Sequence, residues 1–143
     1  MSKLTLKIKK LHKDAKLPAY QTKGDAGFDL CAIENVTLAP SERASIPTGI
    51  AMEIPYGYVG LIWDKSGLSH KFGLKTLGGV ADAGYRGEIK VGMINLGKEP
   101  YTFEKGHKMA QMVIQKREEV DIVEAGELSD SERGEGGFGS TGK

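Results

Sequence analysis

Residues 50–63 read IAMEIPYGYVGLIW, and this segment carries a clear signal of the fold class. Two short apolar runs, residues 50–54 and 58–63, flank a Pro-Tyr-Gly turn. Aliphatic and aromatic residues in such runs favour strands, whereas proline and glycine favour the turn between them. Neither run has the apolar spacing of about 3.6 residues that is typical of an amphipathic helix. The stretch therefore predicts two consecutive β-strands.

The same alternation of short runs and turn residues extends over most of the chain. Leu4, Leu6 and Ile8 alternate with polar residues, as in a strand with one buried face. Further strands are predicted at residues 28–32, 35–38, 44–46, 74–77, 87–94, 101–103, 109–114 and 120–123. Residues 66–70 suggest one helical turn. Many short strands without βαβ alternation predict an all-β fold, either a jelly roll or a related closed β-barrel.

Size and composition restrict the function further. The chain has 143 residues, of which 39% are hydrophobic, enough for one domain with its own core. Its 20 Lys and Arg nearly balance its 19 Asp and Glu, so no overall field attracts nucleic acid or a membrane surface. Cys31 is the only cysteine, and residues 1–10 lack the apolar core of an export signal. We expect a cytoplasmic protein that binds neither nucleic acid nor membrane.

The composition changes after residue 123. Residues 124–143 contain six glycines and only two large apolar residues, Leu128 and Phe138. Such a segment cannot form a core, and a frayed terminus is its commonest form. Residues 133–142 nevertheless place one cation, one aromatic ring and two hydroxyls among glycines whose amides can approach an anion closely. We predict a β-barrel domain over residues 1–128 and a mobile glycine-rich tail over residues 129–143.

The densest group of candidate functional residues is segment 79–89, which reads GVADAGYRGEI. Asp82 lies in a glycine-flanked turn between two strand-like runs, where a carboxylate can face a cleft. Asp82 could equally cap the turn by accepting hydrogen bonds from nearby amides, which is the commoner role of Asp in turns. Tyr85 and Arg86 have ordinary alternatives too, as a partly buried aromatic and a surface cation. The local sequence leaves these alternatives open.

Three other segments carry polar groups at turns. Residues 64–68, DKSGL, follow a predicted strand and place a cation, a hydroxyl and amides where either a phosphate or a simple N-cap fits. Residues 25–30, DAGFDL, hold two carboxylates that suit magnesium without being specific to it. Residues 106–111, GHKMAQ, form a basic turn before a strand. The sequence shows no zinc-ligand spacing, Walker A loop or GxSxG elbow.

Five segments together carry a resemblance to a known family. They are AGFDL (26–30), KSGL (65–68), GVADAGYRG (79–87), GHKMAQ (106–111) and RGEGGFGST (133–141). In this order they resemble the five motifs of the trimeric dUTPase family, and the match spans nearly the whole chain. Each motif alone is unspecific, but all five in the right order make coincidence very improbable.

The resemblance implies a distorted jelly-roll homotrimer with active sites shared between subunits and a flexible C-terminal arm. Such an enzyme splits dUTP into dUMP and pyrophosphate with Mg²⁺, which supplies dUMP for thymidylate synthesis and keeps uracil out of DNA. By position, Asp82 is implied as the general base that activates the water attacking the α-phosphorus. Tyr85 is implied to pack on the deoxyribose and to leave no room for a 2′-hydroxyl. The backbone of the hairpin from Leu77 to Tyr85, with Gly79 and Val80, is implied to read the uracil edge and to exclude a 5-methyl group.

The resemblance assigns the phosphates to three of the other motifs. Lys65, Ser66, Gly67 and Gln111 are implied to bind the phosphate chain. Asp29 is implied to contact Mg²⁺ through its water shell. Positioning of the water and the triphosphate, together with neutralisation of the phosphate charge, then supplies much of the rate enhancement. No covalent intermediate is needed.

The tail is implied to close over the bound nucleotide as a lid. By position, Arg133 pairs with the γ-phosphate and Phe138 stacks over the uracil. Gly139, Ser140 and Thr141 complete the phosphate cage. Ordering this segment excludes water, which is a common use of a glycine-rich lid.

Four residues depart from the family pattern. Lys65 stands where arginine is more common, and a point ammonium cannot reproduce a bidentate guanidinium contact. His107 and Lys108 occupy positions that are more often Asp and Arg. Ala81 precedes Asp82 where isoleucine is common, which loosens packing but leaves the chemistry intact.

Two alternative functions remain open on the same fold. A dCTP deaminase needs a catalytic Glu on the strand after the third motif, where this chain has Gly92. A nucleotide-sensing regulatory protein could keep the site without turnover. Retention of both Asp82 and the full tail favours hydrolysis over sensing.

Overall fold

The structure, a computed structural model, describes residues 3–142 and is almost entirely β. Its one helix in this range, α1, spans Ser66–Phe72, and it is not long and apolar enough to cross a membrane. The strands are β1 Lys7–Lys10, β2 Phe28–Cys31, β3 Val36–Leu38, β4 Arg43–Glu53, β5 Tyr58–Asp64, β6 Leu74–Leu77, β7 Val80–Ala81, β8 Glu88–Asn95, β9 Tyr101–Phe103 and β10 Lys108–Lys116.

The strands form two four-stranded sheets and one two-stranded pair. The first sheet has the order β1-β4-β8-β6 and the second the order β2-β10-β5-β7, while β3 pairs with β9. The pairings are antiparallel, and neighbours in a sheet are mostly distant in sequence. This architecture confirms the predicted all-β jelly-roll class.

A single apolar core joins the sheets. Ile46 and Val91 from the first sheet, Leu30 and Met112 from the second, and Phe103 from β9 are almost completely buried in it. Each such side chain contributes about 1.5–3 kcal/mol when it leaves water. Because the core lies between the sheets, the candidate functional residues occupy strand ends, turns and outer faces.

Strand β4 is longer than the sequence predicted. Residues 44–46 and 50–54 were expected as two strands, yet one strand runs through Pro47 and Gly49. The pairing with β8 shifts register between Pro47 and Ala51, and Gly49 adopts φ 72°. The Gly49 amide donates to Glu88 Oε2 at 2.9 Å, so the residues that usually end a strand form a bulge within it.

The predicted strand at residues 120–123 is wrong. Strand β10 ends at Lys116, and no strand of residues 3–142 pairs with the segment after it. Val120, Ile122 and Val123 are exposed to solvent. Alternating apolar residues form a strand only where a neighbour satisfies their backbone hydrogen bonds, and residues 3–142 supply no such neighbour to residues 120–123. The boundary predicted at residues 128 and 129 stays a prediction.

Candidate active site

The turn that carries Asp82 is fixed by the pairing of β7 with β5. Ala81 pairs with Gly60, and the Ile62 amide donates to the Gly79 carbonyl at 2.7 Å. Gly79 adopts φ 112°, and a Cβ at this position would lie 2.8 Å from the Ile62 carbonyl oxygen. Only glycine fits there, and Asp82 therefore emerges directly after a short edge strand whose position is closely defined.

Asp82 lies at a cleft of about 260 Å³ whose walls include Gly79, Val80 and Tyr85. Its side chain is exposed, and its carboxylate has no hydrogen-bond partner within residues 3–142. The turn is closed instead by the main chain, with the Tyr85 amide donating to the Asp82 carbonyl at 3.1 Å. The Asp82 side chain therefore does not cap the turn. Its carboxylate can instead accept a proton from a water molecule in the cleft.

Tyr85 is held in one orientation at the cleft. Its hydroxyl donates to the Glu88 carbonyl at 2.7 Å, and a Cβ at Gly87 would lie 2.5 Å from that hydroxyl oxygen. About half of the side chain, 48%, remains exposed. Arg86 is a surface cation, the ordinary one of its two predicted roles. It donates to the Ala83 carbonyl at 2.6 Å and faces Glu53.

The Lys65-Ser66-Gly67 segment begins α1 at the far end of β5. Ser66 and Gly67 are exposed, and a Cβ at Gly67 would meet no atom of residues 3–142 within 4 Å. Lys65 is the N-cap residue, and no side chain of the described residues caps the helix. The surface of this segment is therefore open to a ligand.

Asp64 anchors the same segment. Its carboxylate accepts from the Thr76 amide at 2.7 Å and from Lys75 Nζ at 2.9 Å. Burial alone would raise the pKa of Asp64, but the hydrogen bonds from Lys75 and Thr76 outweigh it and lower the pKa. Gln111 Nε2 donates to the Asp64 carbonyl at 3.0 Å. These contacts fix the start of α1 against β6 and β10.

Asp29, Lys65 and Lys108 form a group that we call the Asp29 cluster. Asp29 pairs with Gln111 across β2 and β10, and it is only 9% exposed. Lys65 donates to its Oδ1 atom, and Lys108 Nζ lies 3.3 Å from its Oδ2 atom. Three of the implied residues, Asp29, Lys65 and Gln111, are thus brought together by the fold.

Sequence reasoning missed Lys108 as a candidate for the site. Its contact with Asp29 depends on the register of β2 against β10, two strands that are almost eighty residues apart in sequence. No local pattern encodes that register. The only signal was its place in GHKMAQ, where the family more often has arginine.

The Asp82 cleft and the phosphate-side residues lie apart within one chain. Ala81 lies opposite Gly60 of β5, and Lys65 follows Gly60 by five residues. At the rise of an extended strand, five residues span roughly 17 Å. No hydrogen bond or ion pair joins the two groups within residues 3–142. One chain alone therefore does not place Asp82 near Ser66 and Gly67.

The tail residues are separate from both groups. Arg133, Ser140 and Thr141 are exposed, and Phe138 is completely exposed with φ 52°. The hydrogen bonds of residues 131–142 join residues of this segment to each other, as between the Gly136 amide and the Arg133 carbonyl at 3.2 Å. The fold of the single chain does not bring the tail over the cleft.

The described residues do not form a metal cage. Within residues 3–142 no group of three or more His, Cys, Asp or Glu side chains could hold a metal ion. Both carboxylate oxygens of Asp29 face ammonium groups, whose charge disfavours a divalent cation there. A magnesium ion bound by triphosphate oxygens and water needs no such cage. The implied contact between Asp29 and the water shell of Mg²⁺ stays a prediction.

Comparison with known proteins identifies the family. The family model described as dUTPase matches residues 13–142, a range that contains the Asp82 cleft, the Asp29 cluster and most of the tail. The chain belongs to the dUTPase family. The family predicted from the five motifs is thereby confirmed, together with the enzyme class.

Relatives in the dUTPase family match the chain along its whole length. The deoxyuridine 5'-triphosphate nucleotidohydrolase of Nautilia profundicola is 51% identical over 98% of this chain and 100% of its own. That of Clostridium kluyveri is 50% identical over 97% of this chain and 99% of its own.

Solved dUTPase structures share the fold. The Staphylococcus bacteriophage 80alpha dUTPase with dUPNHPP superposes with a TM-score of 0.92, at 36% identity, over 97% of this chain and 99% of that one. The dUTPase from phage phi11 of S. aureus, described with a structural Mg(II) ion, has a TM-score of 0.83 at 30% identity, over 89% and 100% of the two chains.

Proposed function

We propose that this member of the dUTPase family hydrolyses dUTP to dUMP and pyrophosphate with Asp82 as general base. One observation carries the proposal: an exposed carboxylate without a hydrogen-bond partner in residues 3–142 stands at a cleft walled by Tyr85 and glycine backbone. The names of the relatives support this substrate, since two close ones are deoxyuridine 5'-triphosphate nucleotidohydrolases.

The reaction is one in-line displacement at the α-phosphorus. Asp82 accepts a proton from water as the water oxygen forms a bond to that phosphorus. The bond between the α-phosphorus and the oxygen bridging to the β-phosphate breaks, and its electron pair leaves with pyrophosphate. General-base catalysis of this kind contributes about 10²- to 10⁴-fold to the rate.

Selection of deoxyuridine rests on the walls of the Asp82 cleft. Strand β7 is the edge of its sheet, so one side of the backbone at Val80 is free to pair with the uracil edge. Gly79 lets that backbone run close to β5. Tyr85, fixed through Glu88, supplies a rigid surface for the deoxyribose and leaves no room for a 2′-hydroxyl.

Each site is shared between subunits of a homotrimer. Asp82 must act within a few ångströms of the α-phosphorus, yet in one chain it lies roughly 17 Å along β5 from the segment that binds phosphates. A second copy can supply Lys65, Ser66, Gly67 and Gln111 to the cleft of the first. Oligomers with closed symmetry repeat such a contact at every interface, which gives three equivalent sites in a trimer.

The tail closes the site after the nucleotide binds. Arg133 pairs with the γ-phosphate, Phe138 covers the uracil, and Gly139, Ser140 and Thr141 complete the contacts to the phosphates. The complete exposure of Phe138 supports a second, closed position, since a large apolar ring gains by leaving water. Closure excludes bulk water from the reacting phosphorus.

Magnesium enters as part of the substrate. Mg²⁺ bound to the triphosphate would neutralise phosphate charge during the displacement, and the protein side chains need not form a cage for it. The cytoplasmic location and the supply of dUMP for thymidylate synthesis, which keeps uracil out of DNA, are part of the same proposal.

Deamination of dCTP is disfavoured because there is no room for a side chain at Gly92. This residue occupies the position at which a deaminase needs a catalytic Glu, and a Cβ there would lie 2.9 Å from the Leu77 carbonyl oxygen. Nucleotide sensing remains the second candidate, because phage dUTPases among the solved relatives are described as controlling transfer of virulence genes. The free carboxylate of Asp82 favours turnover, since a sensor does not require a base.

The experiment is pyrophosphate release from dUTP, dTTP, dCTP and UTP with Mg²⁺. The wild-type chain is expected to act on dUTP alone at an appreciable rate, and Asp82→Asn is expected to lose at least about 100-fold in kcat. Asp121→Asn, an exposed aspartate after β10, is the matched control and should behave as wild type. Equal hydrolysis of all four nucleotides, or full activity of Asp82→Asn, would contradict the proposed function.

A further inference from the structure

The turn between β7 and β8 carries Asp82 from one sheet towards the other. Strand β7 belongs to the second sheet and ends at Ala81, whereas β8 belongs to the first sheet and begins at Glu88. Of residues 82–87, Ala83 alone is buried. The Asp82 carboxylate has no hydrogen-bond partner within residues 3–142, so its location depends on the backbone of this turn.

Arg86 binds the main chain of the same turn. Its Nη1 atom donates to the Ala83 carbonyl at 2.6 Å and to the Tyr85 carbonyl at 3.3 Å. Hydrogen bonds from a charged donor are roughly twice as strong as those between neutral groups. One nitrogen of the guanidinium thus holds the two carbonyl groups that flank Gly84, the residue at which the backbone has most freedom.

Glu53 ties the guanidinium of Arg86 to the first sheet. Arg86 Nε lies 3.5 Å from Glu53 Oε1, and Glu53 is the last residue of β4. Lys7 of β1 lies 3.6 Å from the other carboxylate oxygen of Glu53. Such exposed ion pairs contribute little to stability. Their effect here is to restrict the orientation of the guanidinium against the turn.

Arg86 lies outside the Asp82 cleft. The lining of that cleft includes Asp82 and Tyr85 but not Arg86. Arg86 lines a separate cleft of about 360 Å³, together with Glu53 and Lys7 among others. Within one chain, Arg86 therefore reaches the reaction through the turn and not through contact with the nucleotide.

We propose that Arg86 is a positioning residue for Asp82, because its guanidinium holds the turn from which the carboxylate reaches the attacking water. The inference rests on the proposed function and deepens it. A general base must lie within hydrogen-bond distance of the water that it activates. A displacement of about 1 Å can lower the rate by about 100-fold. Two hydrogen bonds to the backbone next to Asp82 restrict such displacements.

The first test measures steady-state hydrolysis of dUTP and binding of dUpNHpp by calorimetry. Arg86→Met loses the donors to the turn, and its kcat should fall about tenfold. Its KM for dUTP and its affinity for dUpNHpp should stay within about twofold of wild type, since Arg86 does not line the cleft. A kcat equal to that of wild type, or a loss confined to dUpNHpp affinity, overturns the inference.

Arg43→Met is the matched control for this substitution. Arg43 is an exposed arginine at the start of β4, and its side chain makes no hydrogen bond or ion pair with residues 3–142. The variant should hydrolyse dUTP as wild type does. Urea unfolding monitors the fold of every variant. If Arg86→Met does not fold, Arg86→Lys takes its place, with an expected loss of about threefold in kcat because an ammonium lacks the planar fork of a guanidinium.

The second test asks whether Arg86 acts through Asp82. In an Asp82→Asn background, Arg86→Met should lower kcat by less than about twofold, because the base that Arg86 positions is already lost. An equal tenfold loss with and without Asp82 would show that Arg86 acts on the reaction independently of Asp82, and overturns its positioning role.

Failure of this inference and failure of the proposed function give different results. A wild-type chain that hydrolyses dUTP, together with an Arg86→Met chain of unchanged kcat, overturns the inference and leaves the function intact. A wild-type chain that does not hydrolyse dUTP overturns the function on which the inference rests.

Discussion

Ala81 pairs with Gly60 across β7 and β5, and this register places Asp82 beside the first half of β5, while Lys65 follows its end. The two side chains can therefore meet at one nucleotide only when they come from different copies. Mixed oligomers of Asp82→Asn and Lys65→Met chains should regain activity that neither variant has alone. With random mixing, roughly a quarter of the sites combine two intact contributions.

The control for the mixing experiment combines Asp82→Asn with a chain that carries both substitutions. This mixture has no intact Asp82 and should stay inactive. Steady-state pyrophosphate release after joint refolding gives the readout. If the two single variants fail to complement each other although both form oligomers, the proposal of a site shared between subunits is wrong.

Tyr85 is expected to control discrimination between dUTP and UTP. Tyr85→Ala removes the ring that faces the cleft, and the preference for dUTP in kcat/KM should fall at least about tenfold. Tyr85→Phe keeps the ring and loses only the hydrogen bond to the Glu88 carbonyl, so most of the preference should remain. An unchanged preference in Tyr85→Ala would mean that another group excludes the 2′-hydroxyl.

Removal of the tail is expected to separate turnover from folding. A chain that ends at Ser131 loses Arg133 and Phe138, and we expect kcat for dUTP to fall by about 100-fold. Its free energy of unfolding in urea should change by less than about 0.5 kcal/mol, because residues 132–142 make no hydrogen bond to residues 3–130. Phe138→Ala in the full chain is the single-residue comparison. Unfolding of the shortened chain at room temperature would contradict the lid.

Asp64 should contribute stability that depends on pH. Its pKa is lowered in the folded chain, so its contribution is present above the unfolded value of 3.8 and is lost as the pH falls through the folded pKa. Asp64→Asn keeps an acceptor for the Thr76 amide but loses the ion pair with Lys75, and should cost about 1–2 kcal/mol at pH 7. Urea unfolding at pH 7 and pH 3 measures this cost. The cost should be smaller at pH 3 than at pH 7, and a larger cost at pH 3 would contradict the lowered pKa of Asp64.

Most strands could be predicted because their apolar runs and turn residues are local. Residues 58–63 and 74–77 were predicted as strands and are found as β5 and β6. Two differences from the prediction have tertiary causes. Pro47 and Gly49 read as a strand break, yet contacts from β8 carry the strand through them. Residues 120–123 have the pattern of a strand, but no strand within the described part of the chain pairs with them.

The candidate site, too, could be predicted only where local sequence encodes it. The segment around Asp82 and Tyr85 was predictable, since a glycine-flanked turn is encoded locally. The capping alternative for Asp82 could not be decided from sequence, because it depends on which amides lie nearby. The contacts of Asp29 with Lys65 and Lys108 depend on the pairing of β2 with β10. The contact of Asp64 with the Thr76 amide depends likewise on where β6 lies.

In the proposed reaction, a water molecule activated by Asp82 attacks the α-phosphorus of dUTP. Hydrolysis of dUTP in water enriched in ¹⁸O, followed by mass spectrometry of both products, shows which phosphorus the water attacks. We expect one ¹⁸O atom in dUMP and none in pyrophosphate. Asp82→Asn should give the same pattern at a rate at least about 100-fold lower. Label in pyrophosphate would place the attack at the β-phosphorus, beyond the reach assigned to Asp82, and would contradict the mechanism.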